Sequence, residues 1–128
     1  MKYLELDEVL RIHEHLIVQY GGSFGSLNQS ALESTLATPK QTMFGDDLYP
    51  DISSKAAILF FLLVKNHAFI DGNKRTAFAC LLRFSKVNGY KLKASDNDLF
   101  QFTIDVATSV LDKEQVTDWI RRRLQSII

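Results

Sequence analysis

The sequence predicts an all-α fold in a single domain over residues 1–128, on three observations. Apolar residues recur at helical spacing along most of the chain. Residues that start and stop helices bound those runs. A hydrophobic share of 46% over 128 residues is enough for one core and excludes a disordered chain. No linker, internal repeat or low-complexity tract divides the chain.

From Leu6 to Tyr20, the residues Val9, Leu10, Ile12, Leu16, Ile17 and Tyr20 form one stripe, and Gly21-Gly22 stops it. Asn28 is placed to cap a shorter helix that runs to Ala37 and ends before Pro39. Residues 39–52 contain both prolines, Gly45 and Asp46-Asp47; they predict the one long irregular segment, with Tyr49 exposed. Ile52 to Asn66 is the apolar central helix. The next helix runs from Asn73 to about Asn88, buries Ala77, Phe78, Leu81, Leu82 and Phe84, and closes at Asn88-Gly89. Tyr90 to Lys93 is strand-like. Ser95, with Asp98 at capping-box spacing, starts a helix to Val110. Asp112, with Gln115 at the same spacing, starts a last helix over Lys113 to Ile127. Phe100, Phe102, Ile104, Val106, Trp119, Ile120 and Leu124 are expected in the core or at an interface.

Fifteen basic residues balance fifteen acidic ones. A dedicated nucleic-acid binder carries a basic excess, so no direct nucleic-acid contact is expected and phosphate recognition should be local. The single cysteine, Cys80, can form no internal disulfide and sits in an apolar helical pattern, which predicts a buried, inert thiol in a reducing cytoplasm. The N-terminus is charged at once, with no apolar signal segment behind it. Ala56 to Val64, bounded by Lys55 and Lys65, is far shorter than the roughly twenty residues a membrane span needs. A cytoplasmic protein without membrane attachment is the expectation; homo-oligomerisation stays open.

The run from His67 to Arg75 carries most of the chemistry. Transfer of a group from a nucleotide triphosphate needs a base for the hydroxyl nucleophile, and histidine has the ordinary pKa for that task near neutrality. Mg²⁺ takes oxygen ligands and often only one or two protein carboxylates, and Asp71 supplies one. Gly72 lets the backbone approach closely, and the following helix start offers free N–H groups to an anion. Asn73 can donate through its amide, while Lys74 and Arg75 offer a point charge and a forked donor for phosphate. Taken singly, each residue has an ordinary structural explanation: a helix-closing histidine, an Asp-Gly-Asn turn, a solvated basic face. Their convergence in one short loop between two helices favours the functional reading.

His67-x-Phe69-x-Asp71-Gly72-Asn73-Lys74-Arg75 resembles the signature of the Fic/Doc (Fido) family, specifically its Doc, death-on-curing, branch. Ile12-His13, Tyr20-Gly21-Gly22, Leu32-Glu33-Ser34, Ala37-x-Pro39, Leu48-Tyr49-Pro50 and Lys55-Ala56-Ala57 are similar to residues of Doc-like sequences, so the likeness covers essentially residues 4–125. The resemblance implies a compact Fido-fold helical domain whose motif loop joins the central helix to the next. It implies His67 as general base, Asp71 as Mg²⁺ ligand, Gly72 and Asn73 as anion hole, and Arg75 as phosphate contact. Phe69 is then a packing anchor. Asp47, Leu48 and Tyr49 belong to the region that forms a substrate flap in the family.

Two departures bear on the chemistry the resemblance implies. Adenylyl-transferring Fic proteins have glycine where this chain has Lys74, and a second arginine where it has Phe78. Doc-type proteins share the lysine, and they transfer the γ-phosphoryl group of ATP with the nucleotide reversed. The expectation is therefore a toxin of a toxin–antitoxin system: an ATP- and Mg²⁺-dependent protein Ser/Thr phosphotransferase that acts on a translation elongation factor and blocks translation. The family's inhibitory Ser/Thr-x-x-x-Glu-Gly/Asn helix is not found in this sequence, so restraint would come from a Phd-like antitoxin. The alternatives are protein AMPylation by the same fold and a non-catalytic module that binds nucleotide or a partner helix. A third departure is Leu27-Asn28, where Doc relatives often carry Arg-Asp. His13 and His15 do not share a helix face and are not read as a metal pair; His13 lies on the apolar side and should pack. Arg121-Arg122-Arg123 is read as complementing a helix dipole.

Overall fold

Asp51 begins the central element. Its carboxylate accepts the Ser54 N–H at 2.7 Å while the Ser54 hydroxyl accepts the Asp51 N–H, a reciprocal cap for α3 (Ile52–Lys65). Helix α3 buries Ala56, Ala57, Leu59, Phe60, Leu63 and Val64, and the rest of the chain is arranged around it. The computed structural model describes residues 1–127. These form α1 (Leu6–Tyr20), α2 (Gln29–Ala37), β1 (Thr42–Met43), β2 (Asp46–Asp47), α3, α4 (Asn73–Val87), β3 (Tyr90–Leu92), α5 (Asp96–Ala107), α6 (Lys113–Arg121) and β4 (Leu124–Ser126). Helices α2, α4, α5 and α6 pack on α3, and α1 lies on α4.

Local signals set most boundaries. The Asn28 side chain accepts the Ala31 N–H at the start of α2, and Asp112 and Gln115 form a full capping box at α6. Ser95 caps α5 by accepting the Asp98 N–H, at 3.1 Å. Such caps contribute about 1 kcal/mol each. In the core, Phe60 stacks on Phe102 at 5.2 Å, and Phe102 stacks on Trp119 at 3.7 Å. Arg123 covers the Trp119 ring at 3.9 Å, and Arg121 pairs with Asp51 at 3.1 Å. Two of the three C-terminal arginines thus have partners within the molecule.

Several expectations are corrected. The last helix ends at Arg121, not Ile127: Leu124, Gln125 and Ser126 pair antiparallel with Leu92, Lys91 and Tyr90. Helix α5 ends at Ala107 instead of Val110, and Ser109 takes a left-handed conformation beyond it. Residues 39–52 are not wholly irregular, since Thr38–Lys40 makes a 3-10 turn and β1 and β2 form a tight hairpin. Tyr49 is half-buried, and Phe100, expected in the core or at an interface, is exposed and lies outside the core. On α4, Ala77, Leu81 and Phe84 are buried, but Phe78 is only half-buried and Leu82 is exposed, because both face a cavity. Cys80 is fully buried; burial, followed by the nearby Glu8 charge, pushes its thiol up to about 12, so it stays protonated and unreactive.

One turn gathers distant parts of the chain. Asn88 accepts the Lys2 N–H and donates to the Lys2 carbonyl, while the Ile127 N–H donates to the carbonyl of Gly89. No helix among the described residues is long and apolar enough to cross a membrane.

Candidate active site

Helix α3 closes at Asn66, and His67 turns left-handed at φ 45°. Glycine or asparagine usually takes that position after a helix, because a side chain there costs an L residue about 1–2 kcal/mol. His67 is exposed and makes no hydrogen bond among the described residues. An exposed, unpartnered imidazole on a strained backbone is placed to take a proton from an incoming hydroxyl.

Beyond His67 the loop is tied down residue by residue. The Ala68 carbonyl accepts the N–H groups of Leu27 and Asn28 at 2.8 and 3.0 Å, and Ile70 N–H reaches the Gly25 carbonyl at 3.2 Å. Ser26 and Phe69 form a single antiparallel bridge, so residues 25–28 run alongside the loop. Phe69 is buried, as its apolar character suggests, and its ring lies flat on His13 of α1, centroids 3.8 Å apart and planes at 7°. The Asn73 side chain reaches back to the same residue. Its Oδ1 accepts the Phe69 N–H at 3.0 Å and its Nδ2 donates to the Phe69 carbonyl at 2.9 Å. The amide expected to donate to phosphate is therefore engaged with the loop. What the start of α4 offers an anion is its backbone, since Gly72 leaves that helix without a side-chain cap.

Asp71 is exposed, and two backbone donors aim its carboxylate: Gly72 N–H at 2.9 Å and Ser23 N–H at 3.2 Å. Its carbonyl lies 2.8 Å from Nε2 of His13. The turn after α1 makes room for this carboxylate. A Cβ added at Gly22 would come within 2.7 Å of Asp71 Oδ2, and Gly22 also has φ +119°. No group of three or more metal-binding side chains exists among the described residues. A lone exposed carboxylate suits a Mg²⁺ ion that arrives with nucleotide phosphates, and does not suit a cage built from protein alone.

Lys74 and Arg75 are exposed in the first turn of α4. The Arg75 guanidinium sits over the Tyr20 ring at 4.5 Å. Both cations line a cavity of about 600 Å³ with Tyr20, Phe78, Leu82 and Phe100, a size that accommodates a small molecule. The expected flap residues lie apart from the motif loop. Asp47 ends β2 and pairs with Lys55 in the first turn of α3 at 3.6 Å, whereas the loop leaves the other end of α3. Leu48 is exposed beside it, and the hairpin tip Phe44 is 99% exposed.

His67, Asp71, Gly72, Asn73, Lys74 and Arg75, expected together from the sequence, lie on one loop and one helix start, with the Asn73 amide turned back to the loop. Tyr20, Gly22 and His13 carry the resemblance without a stated role at the site, and Ser23 has no part in it. The available signal was the Gly21-Gly22 pair, two consecutive glycines where a single one would end a helix.

Comparison with known proteins bears on the same residues. The Fic/DOC family matches residues 3–85, which include the whole loop. Toxin Doc of Mycolicibacterium smegmatis is 33% identical over 117 residues, 91% of this chain and 83% of that protein. Protein kinase doc of Escherichia phage P1 is 26% identical over 122 residues, 95% of each chain.

Proposed function

The chain belongs to the Fic/DOC family, and from that premise we propose that it is a Doc-type toxin, a protein kinase that modifies a Ser/Thr hydroxyl of a translation elongation factor. His67 takes the proton of the target hydroxyl. The freed oxygen forms a bond to the γ-phosphorus of ATP, the bond from that phosphorus to the β–γ bridging oxygen breaks, and ADP leaves with the electron pair. Lys74, Arg75 and the backbone N–H groups at the start of α4 hold the phosphates. Asp71 would hold a Mg²⁺ ion, which would neutralise charge on the phosphates. The exposed β1–β2 hairpin, with Asp47, Leu48 and Tyr49 at its base, guides the target chain. The chain acts as one domain over residues 1–128 in the cytoplasm, restrained by a Phd-like antitoxin.

The observation that carries phosphoryl over adenylyl transfer is the wall of the cavity beside Lys74 and Arg75. Phe78, where adenylyl-transferring relatives carry a second arginine, lines it with Phe100 and Leu82 and offers no donor to a phosphate. Intact-mass measurement of an elongation factor after incubation with this protein, ATP and Mg²⁺ tests the reading. The expected gain is one phosphoryl group, about 80 Da, absent with His67→Ala. A gain of one adenylyl group would overturn it.

A further inference from the structure

Gly72 solves one problem and creates another. Its φ of +77° lets the chain turn into α4, and a Cβ there would meet Ile17 Cδ1 at 3.2 Å. A glycine tolerates either sign of φ, so the peptide between Asp71 and Gly72 can flip at little cost. In a trans peptide the C=O and N–H point in opposite directions. The orientation observed sends the Asp71 carbonyl inward and the Gly72 N–H outward to the Asp71 carboxylate, at 2.9 Å. The reverse orientation would remove one of the two donors that aim that carboxylate.

We propose that His13 is a positioning residue of this site: its ring locks the Asp71–Gly72 peptide and thereby presents the Asp71 carboxylate and the start of α4. The inference rests on the transferase reading above, although its geometry does not. His13 is 4% exposed, and its Nε2 lies 2.8 Å from the Asp71 carbonyl. A carbonyl only accepts, so Nε2 carries the hydrogen. The flat stack on Phe69, itself held at both backbone atoms by Asn73, fixes the ring plane and so the direction of that N–H. Helix α1, some sixty positions away in sequence from the loop, thus sets a peptide orientation that the loop's own glycine leaves free.

Two variants separate hydrogen bond from packing. His13→Phe keeps a flat ring on Phe69 without a donor; His13→Gln keeps a donor near the Nε2 position without the ring. With ¹⁵N-labelled protein, the Gly72 amide resonance and the affinity for Mg²⁺–ADP are read alongside the melting temperature. His13→Phe should move the Gly72 resonance and weaken Mg²⁺–ADP about 10- to 100-fold, and His13→Gln should restore both while melting lower. Parental affinity and resonance in His13→Phe, or His13→Gln as weak as His13→Phe, would reduce His13 to packing. Should His13→Phe not fold, the imidazole nitrogens of the unmodified protein decide: hydrogen on Nε2 supports the lock, and hydrogen on Nδ1 alone overturns it. None of these readouts needs turnover. A protein that modifies no target but shows them would defeat the kinase reading and leave the lock standing.

Discussion

The motif loop and the β1–β2 hairpin flank opposite ends of α3, and they are held in opposite ways. From Ala68 to Asn73 every residue has a backbone or side-chain tie, supplied by α1, by the segment 23–28 that follows it and by the loop's own residues. The hairpin pairs with itself and is anchored near its base, where buried Lys55 meets Asp47 at 3.6 Å and the Pro39 carbonyl at 3.1 Å. Its Phe44, Met43 and Leu48 are exposed. Chemistry demands reacting groups fixed in advance, while recognition of a second chain tolerates a compliant surface. His67 breaks the pattern within the loop, since it alone has no partner there.

That exception gives the largest expected effect. His67→Gly removes the proposed base and should lower phosphoryl transfer about 10²–10⁴-fold. The same change relieves the left-handed strain and should stabilise the fold by about 1 kcal/mol in thermal melts. A variant that melts lower would mean His67 is supported in a way the loop does not show. Gly22→Ala attacks the grip directly. Its methyl would displace the Asp71 carboxylate, costing about 1–3 kcal/mol of stability and roughly tenfold in Mg²⁺–nucleotide affinity. Unchanged affinity would show that the turn after α1 does not aim Asp71.

Smaller effects probe the hairpin side. Partial burial works to raise the Asp51 pKa, but the Ser54 hydrogen bonds and the Arg121 guanidinium outweigh it and hold the carboxyl below its ordinary value of 3.8. A depressed folded-state pKa means stability that is present above pH 3.8 and lost as pH falls through the lower folded value. Asp51 is half exposed, so its share should stay under about 1 kcal/mol; Asp51→Asn keeps the cap and should flatten that part of an acid titration. Phe44→Ser should leave stability within about 0.5 kcal/mol. It should raise KM for the protein target about fivefold, roughly 1 kcal/mol of binding, with kcat unchanged. A fall in melting temperature would show the hairpin to be part of the core structure.

The legible parts of this fold are those written locally. Helices α1 and α2 follow the expected boundaries, because an apolar stripe, an asparagine cap and a glycine pair act within a few residues of themselves. Strands β1 and β2 are too short to show any alternation, and the stretch from Trp119 to Ile127 keeps a helical spacing that pairing with β3 overrides. The site divides in the same way. His67, Asp71, Gly72, Lys74 and Arg75 stand in one run, whereas Ser23 and His13 reach Asp71 across 48 and 58 positions of chain. The glycine pair before Ser23 marks a turn, but nothing local marks which residue it meets. Asn73 was legible as a site residue, but its grip on Phe69 was not, because a side chain's choice between ligand and backbone appears only in three dimensions.

The turn at Asn88–Gly89, where residues 2 and 127 are both fastened, makes the molecule nearly a closed ring. It lies at the far end of α4, about 20 Å of helix away from the loop. A short bridge could join residues 2 and 127 there, and the chain could be reopened between Phe44 and Gly45, where it has least to lose. The permuted protein would carry the motif loop unbroken in mid-chain and the β1–β2 hairpin as two free tips. The proposed roles of the two regions, chemistry and target choice, could then be varied as separate parts.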